Sequence, residues 1–257
     1  MITESEIDEL FRQTLAGDYD DDLPWQAVSA LHTHGNRAIF DRALQWSLSP
    51  DPLKRARAAD IIGQLGRTAT NREPLFPDES LSTLARMVAS ETDPRPLASA
   101  IHAAGHFGDA SLIPSVCTHK SHADQAVRWA VASSLGGFPN NAAAIQALLF
   151  LMTDTESDIR DWATFGLGTQ SDADSPEIRD ALNTRLTDYD EATREEAAMG
   201  LAKRHDARII PHLIGLMQLP EPTNLIFEAA ALILNLNESE SKWTQDEYLQ
   251  ALRLLHS

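Results

Sequence analysis

Asp51-Pro-Leu-Lys-Arg55-Ala-Arg-Ala58-Ala59-Asp-Ile61-Ile62-Gly63-Gln-Leu65-Gly66 opens on an acid and a proline, carries an arginine four residues after the acid, and then alternates small and branched apolar residues. Those residues recur at three- and four-residue spacing, which places them on one stripe of a helix. A proline directly after a capping acid suits a first helical turn, where the missing N–H goes unused. The stretch therefore predicts one capped amphipathic helix ending at Leu65-Gly66. The same slots return along the chain, most fully from Asp124 and Arg128 through Val131, Ala132, Leu135, Gly136 and Phe138.

Aligning the arginine slot gives Pro24, Arg55, Leu97, Arg128, Arg160, Arg194 and Ile226, at spacings of 31, 42, 31, 32, 34 and 32 residues. Three residues later stand Ala27, Ala58, Ala100, Val131, Ala163, Ala197 and Ala229. A period of this length holds two helices of ordinary size and their turns. No single pair can bury its apolar face alone, so the pairs must stack on one another. The long unit carries extra residues at 67–78, expected to form a surface loop. Thr3-Glu-Ser-Glu6 is a capping box for an N-terminal helix, and Trp243 to Leu255 makes a further amphipathic helix.

The chain resembles the HEAT repeats, in particular the bacterial HEAT-like repeats first named from phycobilisome lyase subunits. The marks are the openings Asp51-Pro52 and Asp93-Pro94, the arginine column, the Ala-Ala and Leu-Gly pairs, and Ile113-Pro114 and Ile210-Pro211. The blocks Arg160-Asp-Trp-Ala-Thr-Phe-Gly-Leu-Gly168 and Arg194-Glu-Glu-Ala-Ala-Met-Gly-Leu-Ala202 carry it further. The resemblance implies an all-α fold, a right-handed solenoid of about seven helix pairs. The expected division is one domain, residues 1–257, with a capping helix in 1–19, repeats over 20–237 and a C-terminal capping helix over 242–256. The family includes scaffolds, inhibitors, lyase subunits and a few DNA glycosylases, so membership leaves function open.

Composition narrows the partners. The net charge is −17 with acids concentrated in residues 1–22, 150–200 and 221–247, a field that repels phosphates and favours a basic protein partner. One cysteine, Cys117, requires no oxidising compartment. Neither a signal peptide nor a membrane-spanning run is present in the sequence, which points to the cytoplasm and to no membrane partner. A monomer is the favoured state, and no nucleic acid or cofactor is expected.

On the second helix of each unit, slots one, two, five and nine after the arginine point away from the core. Solenoids of the resembled family line their concave surface with second helices, which would make these slots a binding face. Slot one gives Trp25, Ala56, Ala98, Trp129, Asp161 and Glu195; slot five gives Ser29, Asp60, His102, Ser133, Phe165 and Met199; slot two adds Arg57, Trp162 and Glu196. Trp129, Trp162, Phe165 and Met199 beside Asp161, Glu195 and Glu196 form an aromatic patch ringed by acids, suited to holding a protein. The alternative placement for these side chains is packing between adjacent units.

Catalytic and metal chemistry find thinner support. His102 and His106 at i, i+4, followed by Cys117, His119 and His122, are ligand types a transition metal accepts, at a spacing matching no standard motif. The acidic turns 18–22, 154–158 and 172–174 lack the glycine and closing glutamate of a calcium loop. Gly166-Leu-Gly168 follows no strand, which argues against a dinucleotide loop. The leading expectation is a non-catalytic scaffold, adaptor or stoichiometric inhibitor. The alternative is an enzyme or enzyme subunit on the same scaffold, a DNA glycosylase or a bilin lyase subunit, for which Asp161 and Trp162 would be the acid and the aromatic.

Overall fold

The computed structural model describes residues 2–71, 73–236 and 243–256, and among these it forms fifteen α-helices, two short 3-10 turns and no strand. Two compact units divide it, residues 1–134 and 135–257. The first holds α1 (Glu4–Gln13), α2 (Asp22–Thr33), α3 (Arg37–Trp46), α4 (Pro52–Gln64), α5 (Pro77–Ser90), α6 (Pro94–Phe107), α7 (Ile113–Cys117) and nearly all of α8 (Gln125–Leu135). The second holds α9 (Ala142–Leu151), α10 (Ser157–Gly168), α11 (Pro176–Arg185), α12 (Glu191–Lys203), α13 (Ile210–Leu216), α14 (Asn224–Ile233) and α15 (Gln245–His256). The fold class is that of an all-α solenoid, with each second helix packed on the next: α2 on α4 and α4 on α6 in one unit, α10 on α12 and α12 on α14 in the other.

The expected core is the observed one. Ala58, Ala163, Ala197, Leu135 and Leu167 are all buried, because small residues let second helices approach until their backbones touch. Gly168 and Gly200 show how close that is: a methyl group on Gly168 would stand 2.5 Å from the Glu196 carbonyl oxygen, and one on Gly200 2.6 Å from the Gly168 Cα. Only glycine fits at this crossing.

The arginine column closes the turn before each second helix. Arg55, Arg128, Arg160 and Arg194 each donate from Nη1 to the carbonyls six and five residues upstream, at 2.8–3.2 Å. Arg55 and Arg160 also reach the following pair: Arg55 grips Glu91 through Nε and Nη2 at 2.7 and 3.0 Å, and Arg160 grips Asp188 at 2.8 Å through both. The acid slot caps the helix instead, Asp51 accepting from the Leu53 N–H at 2.9 Å and Asp190 from that of Thr193 at 2.8 Å.

Two expectations need correction. The capping box at Thr3 and Glu6 is present, but the N-terminal helix ends at Gln13 and packs on α2 as the first member of a pair, burying Ile7 and Phe11. It is the first helix of the pair that α2 completes, and Phe11 also meets Trp46 of α3 edge-on at 4.8 Å. The segment 67–78 lies at the surface as expected, exposed from Thr68 to Asn71, with Leu75 and Phe76 half-buried. Gly66, at φ +82°, donates its N–H to the His32 carbonyl at 3.0 Å, and the Leu75 N–H donates to Leu65 at 2.9 Å. The Phe76 ring follows, 4.7 Å from Phe40, with the Arg37 guanidinium over both rings. Arg57, expected to face outward, is the largest fully buried side chain: it reaches back to the Thr14 and Tyr19 carbonyls at 2.9 and 2.6 Å, satisfying acceptors just beyond α1. Arg72 in the long segment, and the expected boundaries at residues 237 and 242, lie outside the described residues. The C-terminal helix is α15, resting on α13 and α14 and burying Tyr248, Leu249 and Leu252.

Candidate functional site

The outward slots of α2, α4, α6 and α8 converge in the first unit on a cleft of ≈ 690 Å³ lined by Tyr19, Trp25, Asp60, Arg95, His102 and Trp129, among others. The helical register sets this up: Trp25 and Trp129 occupy slot one and Asp60 and His102 slot five, while Ala56 and Ala98 in slot one are buried and leave room between the larger side chains. A mostly apolar hollow with a few converging polar groups is the usual form of a binding site.

The floor is a closed hydrogen-bond network. The Tyr19 hydroxyl donates to Asp60 Oδ2 at 2.6 Å and lies 2.7 Å from Ser99 Oγ. Arg57 Nη1 stands 3.3 Å from the same carboxylate oxygen, its guanidinium 3.8 Å from the Tyr19 ring centre and 5.0 Å from that of Trp25. Burial pushes the Asp60 carboxyl above the ordinary range, with the Tyr19 hydroxyl and Arg57 pulling the other way. Burial and the Asp60 charge together raise the Tyr19 phenol, so it stays protonated and holds its geometry.

Three histidines line the same cleft. His32 Nε2 donates to the Asp60 carbonyl at 2.9 Å, and His102 packs edge-on to Trp129 at 4.8 Å with Nδ1 3.3 Å from Ser133 Oγ. Burial, helped by the neighbouring His106, pushes His102 down to about 4, and burial lowers His32 and His106 as well. At neutral pH these rings carry no charge.

The second unit holds most of the sequence-predicted patch. Asp161, Trp162 and Phe165 come from α10, Glu195 and Glu196 from α12. Trp162 and Phe165 meet edge-on at 5.8 Å, and Trp162 is 37% exposed. Asp161 is half-buried, its Oδ1 enclosed with no hydrogen-bond partner. Burial, then the charges of Asp190, Asp158 and Asp188, push its carboxyl up to about 6. Glu196 is raised by burial too, although the Thr169 hydroxyl donates to it, and Glu195 accepts from Thr223 Oγ1 at 2.8 Å.

Met199 does not belong to this surface. It is 8% exposed, because α14 of the following pair lies against α12 and covers it. Trp129 belongs to the first unit and lines its cleft. The histidine and cysteine residues are dispersed: His119 Nε2 donates to the Val88 carbonyl at 2.9 Å, His122 Nδ1 accepts the Asp124 N–H at 3.0 Å, and His102 faces Trp129. Among the described residues, no three histidine, cysteine or acidic side chains come together as metal ligands. Sequence reasoning passed over Tyr19 and Arg95. Tyr19 sits in an acidic turn that looks solvated, and the one signal for it was an aromatic ring six residues before Trp25.

Comparison with known proteins fixes the family. A model described as HEAT repeats matches residues 81–168 and 150–234, more than half of the chain. Protein YibA of Escherichia coli strain K12 is 34% identical over 91 residues, 35% of this chain, and the match spans only 32% of YibA. The X-ray structure of E. coli YibA superposes with a TM-score of 0.77 at 21% identity, covering 99% of this chain and 93% of that one. The archaeal HEAT-like repeats protein from Thermococcus onnurineus NA1 gives 0.57 at 15% identity, covering 97% and 99%. At such identities the structural likeness speaks to fold alone. The repeat register, the helix pairs and the family match agree: this chain belongs to the HEAT-repeat family.

Proposed function

We propose that the protein is a non-catalytic binding module, a scaffold, adaptor or stoichiometric inhibitor, that holds a protein partner against the outward faces of its second helices. The observation that carries this is the cleft of ≈ 690 Å³ in the first unit, built from the outward slots of four successive second helices and walled by Trp25 and Trp129. Rings held by packing offer contact area at little entropic cost, which is why aromatic anchors dominate protein interfaces. Trp162, exposed on α10 with the half-buried Phe165 edge-on to it, adds a second aromatic surface. No described helix is long and apolar enough to cross a membrane.

An enzyme on the same scaffold, of glycosylase or bilin-lyase type, is the second reading. It draws on Asp161, whose carboxyl at about 6 lies in the range of a general acid. Against a nucleic-acid substrate, the charges around that carboxyl are Asp158, Asp188 and Asp190, which repel phosphate. The test is a partner isolated by pull-down and measured against variants. Trp162→Ala should speed dissociation, weakening binding by about tenfold or more, with the melting temperature nearly unchanged. Full-strength binding by Trp162→Ala and by Trp129→Phe together would end this reading.

A further inference from the structure

The cleft of the first unit has a charge and ring pattern that selects its occupant. Its lining carries Asp20, Asp60 and Asp124 against Arg95, and of the three acids Asp60 is already engaged by Arg57 and Tyr19. The Asp20 carboxylate makes no hydrogen bond or ion pair among the described residues, and the Asp124 carboxylate accepts the N–H of Ala126 at 2.8 Å. The three lining histidines are held neutral by burial, so they do not offset the acids. Tyr19, Trp25 and Trp129 supply ring faces whose negative potential attracts cations.

The chain already uses these rings in that way. Arg95 is exposed, and among the described residues it makes no ion pair; its guanidinium lies 4.5 Å from the Tyr19 ring centre. Arg57 lies against the same ring from the buried side of the network. A cation resting on an aromatic wall, with unpaired acids nearby and no acid of its own, is held weakly and is readily displaced.

We propose that this cleft takes the guanidinium or ammonium group of an arginine or lysine side chain from a basic partner segment, which displaces Arg95 from the Tyr19 ring. The assignment rests on the binding reading above and names the partner's chemistry at its cleft. Trp25 and Trp129 wall the incoming side chain, and Asp20 and Asp124 supply the counter-charge. Arg95 is a built-in competitor, so its removal strengthens binding.

The test titrates a fluorescent Gly-Ser peptide carrying arginines into the full chain, beside two matched peptides with citrulline or glutamate at the same positions. Citrulline keeps the shape of arginine and removes the charge. The arginine peptide should bind and the other two should not, with affinity falling as salt rises. Asp20→Asn and Asp124→Asn should each weaken it by about threefold; asparagine still caps a helix, so α8 stays intact. Arg95→Gln should tighten it by about threefold. Both Asp20 and Arg95 are exposed, so neither variant threatens the fold. Equal binding of arginine and citrulline peptides, absence of arginine-peptide binding, or a glutamate peptide that binds and is lost with Arg95→Gln would each overturn the assignment. A natural partner lost with Trp162→Ala but indifferent to Asp20→Asn and Arg95→Gln would also overturn it and leave the binding reading standing.

Discussion

Asp161 shows what a single side chain in this family can hold in reserve. Its half-buried carboxyl has an enclosed oxygen without a partner and is pushed up to about 6 by burial and by Asp190, Asp158 and Asp188. In the unfolded chain it titrates in the ordinary carboxylate range, so between that range and about 6 the folded state binds the extra proton. Stability on this account falls as pH rises through that window and stays lower above it. Asp161→Asn should therefore stabilise the protein at neutral pH by ~1 kcal/mol, after allowance for solvent screening. The gain should vanish in acid, below the ordinary carboxylate range. Thermal melts of the two proteins across that range check it, and a stabilisation independent of pH would assign the effect to packing. The outward position of Asp161 was legible from its slot; its perturbed proton was not, because that depends on acids of the next pair, Asp188 and Asp190, brought close by stacking.

At the scale of the helix pair, the arginine column does two jobs that substitution can separate. Arg194 donates to two turn carbonyls, whereas Arg160 makes the same two bonds and also grips Asp188, whose side chain is 4% exposed. Arg194→Ala should cost ~1 kcal/mol, the worth of a turn closure. Arg160→Ala leaves a buried carboxylate with only part of its compensation and should cost ~3 kcal/mol. Urea unfolding of both variants measures the difference, and equal losses would mean that the pair with Asp188 contributes nothing. The column and its turn-closing role were legible as a periodicity, since residues recurring at one slot do the same local work. Where the register misled, at Arg57 and Met199, the side chain is claimed by a neighbouring element: the carbonyls beyond α1 and the face of α14. A helical wheel describes one helix and contains none of these.

For the whole molecule, repetition makes the fold legible and hides the function. Seven recurrences of one slot pattern fix the helix pairs, because every unit must bury the same stripe against the next. The outward slots carry no such constraint, so their residue types vary from unit to unit, and only their assembly in space shows that Trp25, Asp60, His102 and Trp129 share a cleft. A protein partner held on that outward face, as proposed, would shield the second helices. Hydrogen exchange of the full chain, alone and saturated with a partner isolated by pull-down, reads that shielding. Slowed exchange is expected in α2, α4, α6 and α8 around Trp25, Asp60, His102 and Trp129, with α3, α5 and α7 unchanged. Protection confined to those first helices, with the second helices exchanging as in the free protein, would contradict the proposal.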